Sequence, residues 1–113
     1  MKIDSYSFGN IVVDGRGYTS DIIIFPDHIK DSWWRKEGHR LQLVDIPDIL
    51  NAAPEVVIIG TGSSGLMEVV EEVICELNRR GIEVHIERTA EAVRRFNEQP
   101  EDKKAIAALH LTC

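Results

Sequence analysis

The sequence predicts an α/β layer fold with a central mixed sheet, and three observations carry that expectation. Runs rich in β-branched residues flank Asp14-Gly15-Arg16-Gly17, the signature of an antiparallel hairpin. From Asp45 onward the apolar period changes, and helix-length stretches alternate with short apolar runs. Crossovers of that length join parallel strands through right-handed connections. An N-terminal hairpin followed by a β-α-β-α-β unit is therefore expected. The 113 residues form one domain, 1–113, because no Gly- or Pro-rich linker interrupts them.

The elements follow in order. Asn10–Val13 and Tyr18–Phe25 make the hairpin, and Pro26 stops its second strand because proline has no N–H for the ladder. Ile29–Trp34 reads as a third strand, left by a polar loop over Arg35–Arg40. Asp45 is placed to N-cap a short helix with Pro47 in its first turn, ending before Pro54. Glu55–Gly60 is a continuous apolar run bounded by breakers, as in a strand buried on both faces. Leu66, Val69, Val70, Val73, Ile74 and Leu77 then recur at helical spacing, and Gly81 suits the left-handed position after that helix. Ile82–Ile86 is the next strand. Thr89 caps a helix to about Asn97 with Ala92, Val93 and Phe96 inward, and Ala105–Thr112 is the last strand.

Composition narrows the function classes. Thirteen Lys+Arg against 19 Asp+Glu give a net charge of −6, the wrong sign for a broad nucleic-acid or anionic-membrane surface. Two cysteines, Cys75 and Cys113, are too few for a disulfide scaffold or a four-cysteine zinc site. His28, His39, His85 and His110 are scattered without H-x-x-x-H spacing, so neither a metal site nor a bound cofactor is expected. No apolar run reaches the ~18 residues of a membrane span, and the first residues lack a signal peptide's apolar stretch. A cytoplasmic protein with reduced thiols, monomeric or weakly dimeric, is the expectation.

Two segments stand out chemically. Gly60-Thr61-Gly62-Ser63-Ser64-Gly65 is a literal G-x-G-x-x-G between a predicted strand and a predicted helix. Glycines there let backbone amides approach an anion, and a helix N-terminus adds partial positive charge. Glu87, 22 positions after Gly65, stands near the spacing at which an acid meets a ribose hydroxyl. Against a dinucleotide, only one of the two usual β-α-β-α-β halves is present. The plainer reading is a tight turn with Ser63 or Ser64 as N-cap. Leu66-Met67 occupy the positions where a P-loop needs Lys and Ser/Thr, which excludes ATP hydrolysis of that type. The serines also lack the flanking glycines of a G-x-S-x-G nucleophile elbow.

The second segment, Lys30–Arg40, holds four cations against two acids and both tryptophans. Trp33, Trp34, Arg35, Lys36, His39 and Arg40 are its candidate partner-binding residues, since Trp and Arg are enriched where proteins bind one another. On a strand Trp33 and Trp34 point to opposite faces, so only one enters a given core layer. Asp21 shares a strand face with Ile23 and Phe25 and needs a partner, for which Arg35 and His110 are the candidates; a structural hydrogen bond is expected there rather than catalysis.

Several stretches together resemble a small family of unknown biochemical function found in bacteria and archaea. They are Ser20-Asp21-Ile22-Ile23, Trp34-Arg35 with Gly38-His39, Ile58-Ile59-Gly60-Thr61-Gly62, Thr89 with Ala92, Phe96-Asn97, and Ala107 through Cys113. Eukaryotic relatives of that family include the vertebrate adipogenesis-associated protein and a mitochondrial assembly factor of the NADH dehydrogenase alpha subcomplex. The resemblance implies a compact α/β domain with a mixed sheet. It implies no enzymatic activity; its mitochondrial members act through protein contacts. A non-enzymatic binding or assembly module is the leading expectation, with another protein as partner. The alternative is a small-anion or nucleotide site, and so a possible enzyme, on Gly60–Gly65.

Overall fold

Alternation along the central strands divides the apolar residues into two layers, and the architecture follows from what covers each. The computed structural model describes residues 1–113. Its strands β1 (Ile3–Ser7), β2 (Asn10–Val13) and β3 (Arg16–Tyr18) form an antiparallel sheet. Next come β4 (Ile22–Ile24), β5 (Ile29–Lys30) and β6 (Arg40–Leu41), then a 3-10 turn (Leu43–Asp45) and α1 (Pro47–Ala52). They are followed by β7 (Val56–Thr61), β8 (Glu68–Val69), α2 (Glu71–Arg79), β9 (Glu83–Glu87), α3 (Thr89–Asn97) and β10 (Ala105–His110). The main sheet has the order β5-β4-β10-β7-β9. Its β10, β7 and β9 are mutually parallel, β4 is antiparallel to β10, and β5 is antiparallel to β4.

One face of this sheet carries Ile22, Ile24, Val56, Ile58, Ala107 and Leu109. It is covered by the three-stranded sheet and by Ala92 and Phe96 of α3. The other face carries Ile23, Val57, Ile59, Ile106 and Ala108, covered by Val73 and Leu77 of α2, Ile49 of α1, and Trp33 and Leu41. Each layer holds 14 buried hydrophobic residues, so β7 and β10 are apolar on both sides as a doubly covered parallel pair requires. The crossover through α2 runs over one face and that through α3 over the other. The chain therefore leaves the carboxyl ends of the adjacent strands β7 and β9 toward opposite faces, the arrangement at which open α/β sheets place ligands.

The mixed α/β class, the N-terminal hairpin, the strand after Pro54, the α3 helix and the final strand agree with the sequence reading. Other details differ. The expected strand Tyr18–Phe25 is two strands in different sheets, because the chain bends across Thr19–Asp21 and the Asp21 carboxylate takes the Leu111 N–H. Ahead of it, Ile3–Ser7 adds a strand that the sequence reading did not include. The expected strand Ile29–Trp34 pairs only over Ile29–Lys30. Asp45 sits in the 3-10 turn, and Ile46 is the residue preceding Pro47 of α1.

The largest correction concerns α2. It begins at Glu71, not near Leu66; Leu66 is 59% exposed and Val69 lies in β8, paired with Leu41. Thr89 is the first residue of α3 rather than its cap, and its hydroxyl is used elsewhere. The free edge of β9 is lined with charge. Glu83 meets His85 and Lys103, while Glu87 Oε2 accepts from Arg95 Nε at 2.5 Å. No helix is long and apolar enough to cross a membrane.

Candidate functional site

The glycine turn comes first because the sequence singles it out. With α2 starting at Glu71, its N-terminus does not point at Gly60–Gly65; the helix start that abuts the turn is that of α3, whose Thr89 N–H donates to Gly62 O at 3.2 Å. Most of the turn's amides are also engaged. Gly62 N–H donates to Thr89 Oγ1 at 2.9 Å, Ser63 N–H to Thr112 O at 2.6 Å and Leu66 N–H to Cys113 O at 2.9 Å. Gly65 and Met67 donate to Gly62 O and Thr61 O. Gly62 holds φ +108°, and a Cβ there would stand 2.3 Å from Cys113 C. A Cβ on Gly60 would lie 2.8 Å from Thr89 Oγ1 and 3.1 Å from Thr89 Cα. The two glycines thus admit residues 112–113 and the start of α3. Glu87, which stands at the ribose-ligand spacing, is paired with Arg95.

The buried polar cluster lies one strand over, at the carboxyl end of β10. Asp21 Oδ1 accepts from Leu111 N–H at 2.7 Å; Asp21 Oδ2 accepts from Arg35 Nη2 at 2.7 Å and from His110 Nδ1 at 2.8 Å. Arg35 also clasps Gly38 O through Nε at 3.0 Å and Nη2 at 2.8 Å. Both Nη2 protons are then directed, one at Asp21 and one at Gly38. His110 Nδ1, 3.1 Å from Nη2, turns its own proton toward Asp21, and Nε2 is the ring atom left without a partner. The Arg35 and His110 side chains are 4% and 6% exposed. Burial alone would raise the Asp21 pKa. The hydrogen bonds from His110, Leu111 and Arg35 outweigh it and hold the carboxyl below the usual range. Both partners anticipated for Asp21 are present together.

This cluster floors a cavity of about 300 Å³, lined in part by Ser20, Asp21, Trp34, Arg35, His110 and Thr112. Two buried polar atoms have no hydrogen-bond partner in the molecule, Arg35 Nη1 and His110 Nε2, and both belong to residues lining this cavity. A larger cleft of about 600 Å³ opens by Lys2, Phe25, Phe96 and Lys103, with no unpartnered buried side chain.

The candidate partner-binding residues divide. Trp33 is 2% exposed; its indole N–H donates to Asp45 O at 3.0 Å, and its ring lies under Arg35, with Cζ 4.7 Å from the ring centroid. Asp45 in turn accepts the Lys36 and Gln42 amides, which fixes the loop. Trp33 and Arg35 are therefore anchors of the segment rather than members of its contact surface. Trp34 is 82% exposed, and Lys36, His39 and Arg40 are exposed beside it. The His39 ring meets His110 edge-on at 5.4 Å. The Gly38 carbonyl and Thr89, which ties Gly62 to His110 O, were not among the candidates. Thr89 acts through a hydroxyl that bonds backbone 27 and 21 residues away, which periodicity does not register, while Gly38 O accepts from Arg35 three residues before it.

Comparison with known proteins agrees with this fold. A conserved hypothetical protein from Pyrococcus horikoshii OT3 superposes with a TM-score of 0.86 at 27% identity over 100% of both chains. A Bartonella henselae structure described as an outer membrane protein gives 0.83 at 29% identity, covering 98% of this chain and 94% of that one. A Bordetella pertussis protein described as a Mth938-like domain shares the fold at 18% identity, with a TM-score of 0.65 over 97% of this chain and 85% of that one. The family model described as a protein of unknown function (DUF498/DUF598) matches residues 3–110, and the chain belongs to that family.

Proposed function

We propose that this protein is a non-enzymatic binding module of the assembly-factor kind, which captures a partner protein on the face bearing Trp34, Lys36, His39 and Arg40. The observation that supports it is the 82% exposure of Trp34 on a segment pinned at both neighbouring positions. An indole leaving roughly 200 Å² in water holds about 5 kcal/mol of unrealised burial at ~25 cal/mol/Å². Trp33 and Arg35 beside it are anchored to Asp45 and Asp21, so the ring is presented without ordering a mobile loop. Rigid aromatic anchors with basic neighbours make interface hot spots. The anion reading on Gly60–Gly65 has less support, since residues 112–113 and Thr89 use the amides that an anion would need.

The test is affinity capture from native extract with tagged wild type, W34A and the S63A/S64A double variant, each checked for folding. W34A is expected to weaken capture of the enriched partner by more than ~2 kcal/mol, about thirtyfold, and the serine variant to leave it unchanged. Loss with the serines and silence at Trp34 would move the site to the glycine turn.

A further inference from the structure

We infer that the cavity behind Trp34 is a carboxylate-binding site, in which Arg35 Nη1 and His110 Nε2 are the two donors. The inference goes beyond partner capture and does not depend on it, because it concerns the cavity floor and not the outer face of Trp34.

Buried polar atoms without partners are rare in native proteins and call for a ligand or a specific role. Here two of them, Arg35 Nη1 and His110 Nε2, belong to side chains 4% and 6% exposed that line one cavity of about 300 Å³. That volume is at the lower end for small-molecule pockets. The remaining valences of the cluster are filled. Asp21 Oδ1 holds the Leu111 N–H, and Oδ2 holds Arg35 Nη2 and His110 Nδ1. Asp21 therefore uses both oxygens to position the cluster, Oδ2 on the two side-chain donors and Oδ1 on the Leu111 amide.

Charge selects the ligand. Arg35 and Asp21 sum to zero, so a bound carboxylate is neutralised when His110 takes one proton from solvent at Nε2. Its Nδ1–H remains on Asp21, and Nε2–H and Arg35 Nη1–H then both donate to the ligand oxygens. The charged or titratable groups around the ring are Asp21, Arg35 and, edge-on at 5.4 Å, His39. The segment Lys30–Arg40 is net +2 within a chain of net −6, which biases encounter toward anions. Trp34 lines the cavity and offers an aromatic face to whatever carries the carboxylate. Two sources share this chemistry, a free organic acid and an acidic side chain of a docked protein.

The experiment titrates the wild-type protein with benzoate, benzamide, benzylamine and the peptide acetyl-Gly-Asp-Gly-amide. The readouts are the His110 ring nitrogen shifts and calorimetry in two buffers of different ionisation enthalpy. The expected result is benzoate binding at least tenfold tighter than benzamide, no benzylamine binding, uptake of a proton and a shift of Nε2. Binding of benzoate alone assigns a free acid; binding of the peptide as well assigns an acidic side chain. R35Q, where folded, is expected to lose at least tenfold in benzoate affinity, and the wild-type series decides the matter where it is not. Benzamide equal to benzoate, or no response to benzoate or the peptide at 10 mM (roughly tenfold above a millimolar Kd), overturns the inference.

Discussion

Thr89 ties the two ends of the site region together, and replacing it with valine gives a sharp test. Its side chain is fully buried; Oγ1 accepts from Gly62 N–H at 2.9 Å and donates to His110 O at 2.5 Å. Valine keeps the shape and removes both bonds. The Gly62 N–H is left buried and unpaired, which costs about 1–3 kcal/mol, and the His110 carbonyl loses one bond worth about 1 kcal/mol. T89V is therefore expected to destabilise the fold by about 2–4 kcal/mol. T89S retains both bonds and loses one buried methyl, about 1 kcal/mol. In urea, with a slope of about 1.5 kcal/mol/M for a chain of this size, the midpoint falls by roughly 2 M for T89V and well under 1 M for T89S. By heat, T89V lowers Tm by about 12 °C. A T89V midpoint equal to or above that of T89S would refute the reasoning, since packing and not hydrogen bonding would then set the role of this residue.

Four further outcomes are expected. G62A should cost at least about 3 kcal/mol in urea unfolding, because φ +108° and the 2.3 Å approach of Cys113 leave no room for a methyl. The Asp21 carboxyl has a folded pKa below its unfolded one, so its contribution is present above pH ~4 and is lost as pH falls through the depressed value; D21N should flatten the acid limb of a stability–pH curve and cost about 3–5 kcal/mol at pH 7 by stranding Arg35. Cys75 is exposed, with its thiol pKa raised by partial desolvation and by Glu71, so a thiol reagent should label the native protein slowly at pH 7, faster at pH 9, and faster in E71Q. Calorimetry with NAD(H) or NADP(H) should show no binding tighter than about millimolar, since most of the turn's amides are already engaged.

What the sequence disclosed and what it hid have physical causes. The strand from Val56 and the one from Ala105 were legible because a doubly covered strand must be apolar throughout. The α2 start was obscured by coincidence. Leu66, Val69 and Val70 fit the helical period, yet they belong to an extended stretch whose pairing partner, Arg40–Leu41, is far away in sequence. The Glu71-Glu72 pair, acids in a first turn, is the local signal that marks the true beginning. Asp21's need of a partner was readable from a carboxylate on an apolar strand face, and both partners were nameable. That they close on one cavity was not, since Arg35 and His110 are 75 residues apart. The expectation that one tryptophan stays outside the core is met although the strand it rested on ends at Lys30; the Asp45 carbonyl that receives the indole N–H fixes Trp33 as the buried one.

The charged border of β9 bears on how the molecule avoids its own kind. An open strand is a template for growth by backbone pairing with another chain. Here a newcomer aligning on β9 would have to strip water from Glu83 and crowd the Glu87–Arg95 pair, and the opposite margin, Ile29–Lys30, offers only two residues to grip. Fibre-like stacking through the main sheet is thereby disfavoured at both ends, although Ile86 leaves a partly exposed apolar side chain on the first of them. With the main sheet's edges discouraged, side chains are the other route to self-association, and there Trp34 is the most exposed large apolar group.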